Sequence, residues 1–243
     1  MDLGLAGRVA VVCASSRGLG RASADALAAE GARLVIGARG EASLREAEEQ
    51  LRAGGTEVVG VLGDMAEPGV PESLVAAALT HYGRLDVVVA NAGGPPPGGA
   101  LDLSDAAIGA ALEANFLSSV RLVRAALPHL RQGGWGRICC ITSYTIIQAA
   151  PVLALSNSAR SALWAWAKTA AHDLAAEGAG ITVNLVCPGP HATERMRSLG
   201  AGDDAVMGDP ADLGRVVAFL CSEPAGYVNG AALLVDGGAT LAL

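Results

Sequence analysis

Ala14-Ser15-Ser16-Arg17-Gly18-Leu19-Gly20 packs two glycines, two hydroxyls and a guanidinium into seven positions. The segment ends an apolar run and opens an alanine-rich one. If a strand hands over to a helix there, Gly18 lets backbone approach a pyrophosphate and Gly20 lets the helix pack close to the sheet. The helix would offer free N–H groups and a positive dipole end to the phosphates. Glycine turns follow many strands, so other residues must decide. Metal chemistry finds less support. The five cysteines, Cys13, Cys139, Cys140, Cys187 and Cys221, form no CxxC and have no paired histidines. They read as buried, reduced thiols. His81, His129, His172 and His191 are scattered, which argues against a metal cluster.

The elements that must position this turn follow from the apolar pattern. Arg8–Ala14 reads as a buried parallel strand and Arg21–Glu30 as a helix stopped by Gly31. Strands are predicted at Arg33–Ala38, Glu57–Leu62, Leu85–Ala90, Gly136–Ser143, Ile181–Val186 and Ala231–Val235. Helices are predicted at Glu41–Ala53, Glu72–His81, Asp102–Leu130, Leu153–Ala176 and around Asp212–Ser222. Strand–helix alternation throughout predicts an α/β fold: a Rossmann-like, doubly wound parallel sheet with helices on both faces. No linker or repeat divides the chain, so residues 1–243 are expected to form one domain.

Composition agrees. The 243 residues are 51% hydrophobic and include 32 glycines, which suits one helix–sheet core rich in tight turns. The net charge of −7 and the lack of a basic cluster argue against nucleic acid. No signal segment or run of about 18 apolar residues is evident, so no membrane is expected and the cytoplasm is the default location.

On these motifs the chain resembles the short-chain dehydrogenase/reductase family from Gly7 to Gly238. The family's Thr-Gly-x-x-x-Gly-x-Gly falls on Cys13 to Gly20, with its last two glycines kept and its Thr and first Gly replaced by Cys13 and Ala14. Asp64 matches the family's adenine-contacting aspartate, and Asn91-Ala92-Gly93 its Asn-Ala-Gly. Pro188-Gly189 with Thr193 matches its nicotinamide-side Pro-Gly-x-x-x-Thr, and Val235-Asp236-Gly237-Gly238 its last signature. The resemblance implies a nicotinamide dinucleotide held by these residues together with Ser15, Ser16, Arg17, Leu19 and Arg39. An NAD site needs a carboxylate at the end of the second strand, yet Ala38 and Arg39 stand there, with Arg17 in the turn. Two guanidiniums favour the 2′-phosphate of NADP over NAD, because arginine pairs with phosphate in bidentate fashion.

The catalytic end departs from the family. Its reductases use Asn, Ser, Tyr and Lys, the serine thirteen residues before the tyrosine and the lysine four after it. Asn115 and Ser143 match, but Ser156 and Arg160 occupy the tyrosine and lysine positions. Spacing i, i+4 still puts Ser156 and Arg160 on one helix face. Serine is a far weaker acid than a phenol of ordinary pKa near 10, and losing a general acid costs about 10²–10⁴-fold. Arg160 keeps the charge and is suited to a ribose hydroxyl. Tyr144, directly after Ser143, is a replacement acid or a pocket wall. His191 is a second candidate, or a solvated loop histidine. The loop Pro95-Pro96-Pro97 would shape the pocket, and Pro190–Asp209 would cover it as a mobile segment.

Three functions remain open. The first is an NADP-dependent oxidoreductase on a carbonyl or alcohol, small or carrier-bound, resembling 3-oxoacyl carrier-protein reductases. The second is a non-redox dehydratase, cyclase, isomerase or lyase. The third is a silent NADP(H)-binding protein. Trp164 and Trp166 read as core or interface aromatics, and the resemblance implies a homotetramer or homodimer.

Overall fold

Short β-branched runs between glycine-rich turns can bury both faces only inside a helix–sheet–helix sandwich. The computed structural model, which describes residues 1–200 and 206–242, has that architecture. Strands β1 (Val9–Val12), β2 (Arg33–Ala38), β3 (Val58–Leu62), β4 (Val87–Ala90), β5 (Gly136–Ile141), β6 (Ile181–Pro188) and β7 (Ala232–Val235) form one sheet. All pairs are parallel and the order is β3-β2-β1-β4-β5-β6-β7. The chain winds outward one way through β3 and the other way from β4. The carboxyl ends of β1 and β4 therefore leave a crevice where the winding reverses.

The period of two sorts the side chains. Val9 and Val11 join one core layer, with residues of α3 (Val70–Tyr82), α5 (Ser118–Gly133) and α6 (Ala154–Glu177). Ala10 and Val12 join the other, with α1 (Gly18–Ala29), α2 (Glu41–Ala53) and α8 (Pro210–Leu220). Cys140 lies in the first layer and Cys139 in the second, as adjacent strand residues must. All five cysteines are buried and free.

The long helix expected over Asp102–Leu130 is broken. It runs as α4 (Asp105–Leu112), a π-turn at Glu113–Leu117, then α5. The extra residue per turn rotates Asn115 to a buried position at the head of the sheet. The run Asp105–Gly133 is long and apolar enough to cross a membrane by composition. Here Leu122, Val123, Ala126 and Leu130 face the sheet core instead. Trp166 packs partly against the same core, while Trp164 is exposed. Strand β5 ends at Ile141, two residues early, because the Ser143 hydroxyl accepts from Thr145 N–H and opens a 3₁₀ turn.

Helices α1 and α8 meet backbone to backbone. A Cβ at Gly214 would stand 2.3 Å from the Ala22 carbonyl oxygen. Gly214→Ala should lower the unfolding free energy by about 1–3 kcal/mol through overpacking. Denaturant melts check this, and an unchanged midpoint would refute the close-approach argument.

Candidate active site

The turn after β1 is held from below. Ser15 Oγ donates to the Val12 carbonyl at 2.8 Å, and Ser15 N–H donates to the Gly37 carbonyl at 3.0 Å. Ser15 is fully buried, so it braces the turn rather than lining the cleft. Gly20 is also a brace: a Cβ there would lie 2.3 Å from the Ala14 carbonyl oxygen and 2.7 Å from Asn91 Nδ2. Asn91 in turn donates to the Cys13 and Ala14 carbonyls, each at 3.4 Å, tying the end of β4 to the turn. Helix α1 starts at Gly18 without a side-chain cap. Its first N–H groups have no intrahelical partner, and they face the cleft lined by Ser16, Arg17, Gly18 and Leu19. That is the donor set an anionic diphosphate needs.

Two arginines flank this end. Arg39 pairs with Asp64 at 3.2 Å, and Arg17 with Glu194 at 2.5 Å. Both guanidiniums are exposed at the rim. Ala92, Gly93, Pro188, Gly189 and Thr193 line the same cleft, whose volume is about 1900 Å³. Gly189 has a steric reason: a Cβ would fall 2.6 Å from Asp236 Cβ. Asp236 accepts from Gly238 and Thr240 N–H, so the Val-Asp-Gly-Gly segment buttresses the β6 end. Thr193 caps α7 (Glu194–Ser198) by accepting from Met196 N–H.

Asn115, Ser143, Tyr144, Ser156 and Arg160 also line this cleft. Ser143 Oγ accepts from Thr145 N–H at 3.2 Å and from the Thr145 hydroxyl at 3.0 Å. Its own proton is left to donate elsewhere. Asn115 donates to the Ala111 carbonyl, while its Oδ1 is buried without a hydrogen-bond partner. Ser156 and Arg160 are both buried on the inner face of α6.

Arg160 does something its position alone did not suggest. Its Nη1 donates to the Ile141 and Thr142 carbonyls, each at 3.0 Å, and Nη2 reaches the Ala92 carbonyl at 3.4 Å. The guanidinium clamps the ends of β5 and the β4 loop. Burial, then the charge of Arg195, pushes its pKa down to about 10. His191 also differs from expectation. It is buried, with Nδ1 against the Gly189 carbonyl at 3.0 Å and its ring packed on Gly208. A solvated loop histidine is therefore excluded. The covering segment is described at 190–200 and 206–209; residues 201–205 lie outside the described residues. Arg195, absent from the sequence reading, crosses from this segment to the Pro95 carbonyl at 2.5 Å. Its only sequence signal was an arginine two places after Thr193. Among the described residues no cluster could hold a metal ion.

Such a crevice, with a glycine-braced turn below an uncapped helix, defines the Rossmann-type dinucleotide-binding class of α/β protein. The chain belongs to the short-chain dehydrogenase/reductase family. The family profile described as "Enoyl-(Acyl carrier protein) reductase" matches residues 13–240. Tropinone reductase-like 3 of Erythroxylum coca is 32% identical over 96% of this chain and 93% of that protein. Dehydrogenase/reductase SDR family member 4 of Homo sapiens is 30% identical over 96% and 88%. The crystal structure of L-sorbose reductase from Gluconobacter frateurii, complexed with NADPH and L-sorbose, superposes with a TM-score of 0.93. It is 30% identical, with all of both chains covered.

Ala14, where the family motif has glycine, adopts a left-handed φ of 47°. That conformation costs an L-residue about 1–2 kcal/mol, against about 0.5–1 kcal/mol for glycine's lost freedom. Ala14→Gly should therefore raise the unfolding free energy by about 0.5–1 kcal/mol. A fall in stability by the same melts would contradict the strain.

Proposed function

We propose that the protein is an NADP-dependent oxidoreductase that interconverts a carbonyl and an alcohol, with Ser156 and Arg160 in place of the family's tyrosine and lysine. One observation carries the reading: the uncapped start of α1 and the Ser143–Tyr144 turn open into a single cleft. The donors at one end fit a diphosphate, and the hydroxyls at the other fit a carbonyl oxygen. When bound, the nicotinamide supplies or accepts hydride.

The chain's own residues do the rest. Ser143 donates a hydrogen bond to the substrate oxygen with the proton Thr145 leaves free. Tyr144 gives up the proton that the developing alkoxide requires, since a phenol is a competent acid and a serine hydroxyl is not. Ser156 contributes a hydrogen bond only. Arg160 holds the carboxyl ends of the strands in place and leaves positive charge beside the reacting oxygen. Asn115, with its unpartnered Oδ1, holds a water or a cofactor hydroxyl at the back of the cleft. We infer a homotetramer or homodimer from the family resemblance, and light scattering would establish the assembly; a cytoplasmic location remains the expectation from sequence.

The commitment of Arg160 to three backbone carbonyls is the observation that favours a non-redox enzyme instead. Turnover of a substrate without nicotinamide would select that alternative.

Fluorescence titration with NADPH and NADH, followed by a ketone panel, tests the main reading. Tyr144→Phe should lower kcat by about 10²-fold or more while leaving NADPH affinity within a factor of two, and Ser143→Ala should remove activity. Wild-type turnover in Tyr144→Phe would refute the proton-donor role. Coenzyme choice is tested separately. Arg39→Asp should reduce the preference for NADPH over NADH by roughly 10- to 100-fold in Kd, the loss expected for one charged contact to phosphate. An unaltered ratio would mean Arg39 does not touch the 2′-phosphate.

A further inference from the structure

Charge in the cleft is unevenly matched. Glu194 is engaged by Arg17 and Asp64 by Arg39, so the acids nearest the turn are taken. Arg195 pairs with no acid among the described residues, and burial lowers its pKa with no opposing partner. Among the described residues, the guanidinium makes one hydrogen bond, from Nη2 to the Pro95 carbonyl. A guanidinium carries five donors, so most of the fork remains available.

Its position is on the substrate side. Arg195 Nε would come within 2.8 Å of a Cβ at Gly94, so the guanidinium lies flat over the Gly94–Pro95 backbone. That loop is fastened at its far end to the start of α6, Gly98 N–H donating to the Val152 carbonyl at 2.7 Å. Arg195 lines the same cleft as Ser156 and Arg160, close enough to Arg160 for the two guanidiniums to repel each other. Ala107, Ala111 and Leu155 belong to a small apolar cluster that lines the same cleft. Two like charges and a hydrocarbon surface in one cleft call for a ligand with an anionic head and an apolar body.

We propose that Arg195 is a specificity residue that binds a substrate carboxylate, so that the substrate is an oxo or hydroxy acid with a hydrocarbon body. The inference rests on the oxidoreductase reading above. It differs from cofactor binding because Arg195 bonds the Pro95 carbonyl, beyond the Asn91-Ala92-Gly93 stretch matched to the cofactor.

The test uses the full chain saturated with NADPH. The probes are straight-chain 2-, 3- and 4-oxo acids, each paired with its primary amide, read by calorimetric binding and by NADPH oxidation. At least one acid should bind or turn over about tenfold or more better than its amide. Arg195→Gln should erase that preference by roughly 10- to 100-fold, with NADPH affinity within a factor of two, and Arg195→Lys should restore part of it. Equal handling of acids and amides overturns the inference, as does a preference that survives in Arg195→Gln. A variant that loses NADPH affinity instead assigns Arg195 to the cofactor and overturns it too. Binding of NADPH with no binding of any acid overturns the inference while sparing the cofactor reading. Failure of the parent protein to bind NADPH removes the cofactor reading itself.

Discussion

Between Gly20 and the Ala14 carbonyl there is no room for a side chain, and the geometry of the cleft follows from that contact. The first turn of α1 lies directly on the backbone that leaves β1, with the Asn91 amide as a third party. A helix seated so closely must point its unbonded N–H groups at the crevice between β1 and β4. Any larger residue would lift the helix and aim those groups elsewhere. Ala14 accepts a left-handed backbone as part of the same arrangement, since its carbonyl has to meet both Gly20 and Asn91.

Much of this was legible in sequence because it depends on local chemistry. Apolar runs of strand length between glycines predicted each strand within a few residues, and β2 and α2 fall on the predicted bounds. The glycine turn, Asn91 and the Pro188–Thr193 segment were legible for the same reason, since each needs a particular residue type where the backbone bends. Gly20 packs the helix close, as its place in the motif implied, while Ser15 is buried beneath the turn. A motif shows that a residue is required, but not whether it touches the ligand or supports what does.

What stayed hidden depends on distant partners. The Pro95 carbonyl that receives Arg195 is 100 residues away in the chain. The pairs Arg39–Asp64 and Arg17–Glu194 likewise join separate elements. The π-turn at Glu113–Leu117 has no signature in hydrophobic periodicity, because one extra residue in a turn leaves the apolar stripe almost intact. His191 looked like a loop residue because it is one by backbone. Its burial comes from Gly208, which closes over the ring from the other end of the covering segment.

Ser156 and Arg160, one turn apart on the buried face of α6, are best understood together. A lysine beside a phenol serves by lowering the phenol's pKa, and its single ammonium suits that task. With serine at position 156 there is no phenol one helical turn away for the cation to tune. A buried charge is costly unless it is hydrogen-bonded. Arginine meets that condition: its planar fork spans the Ile141 and Thr142 carbonyls and still reaches Ala92. The carbonyl dipoles offset the burial without neutralising the charge. Arg160 therefore keeps its positive charge within the cleft, near enough to Arg195 for each to oppose the other's charge.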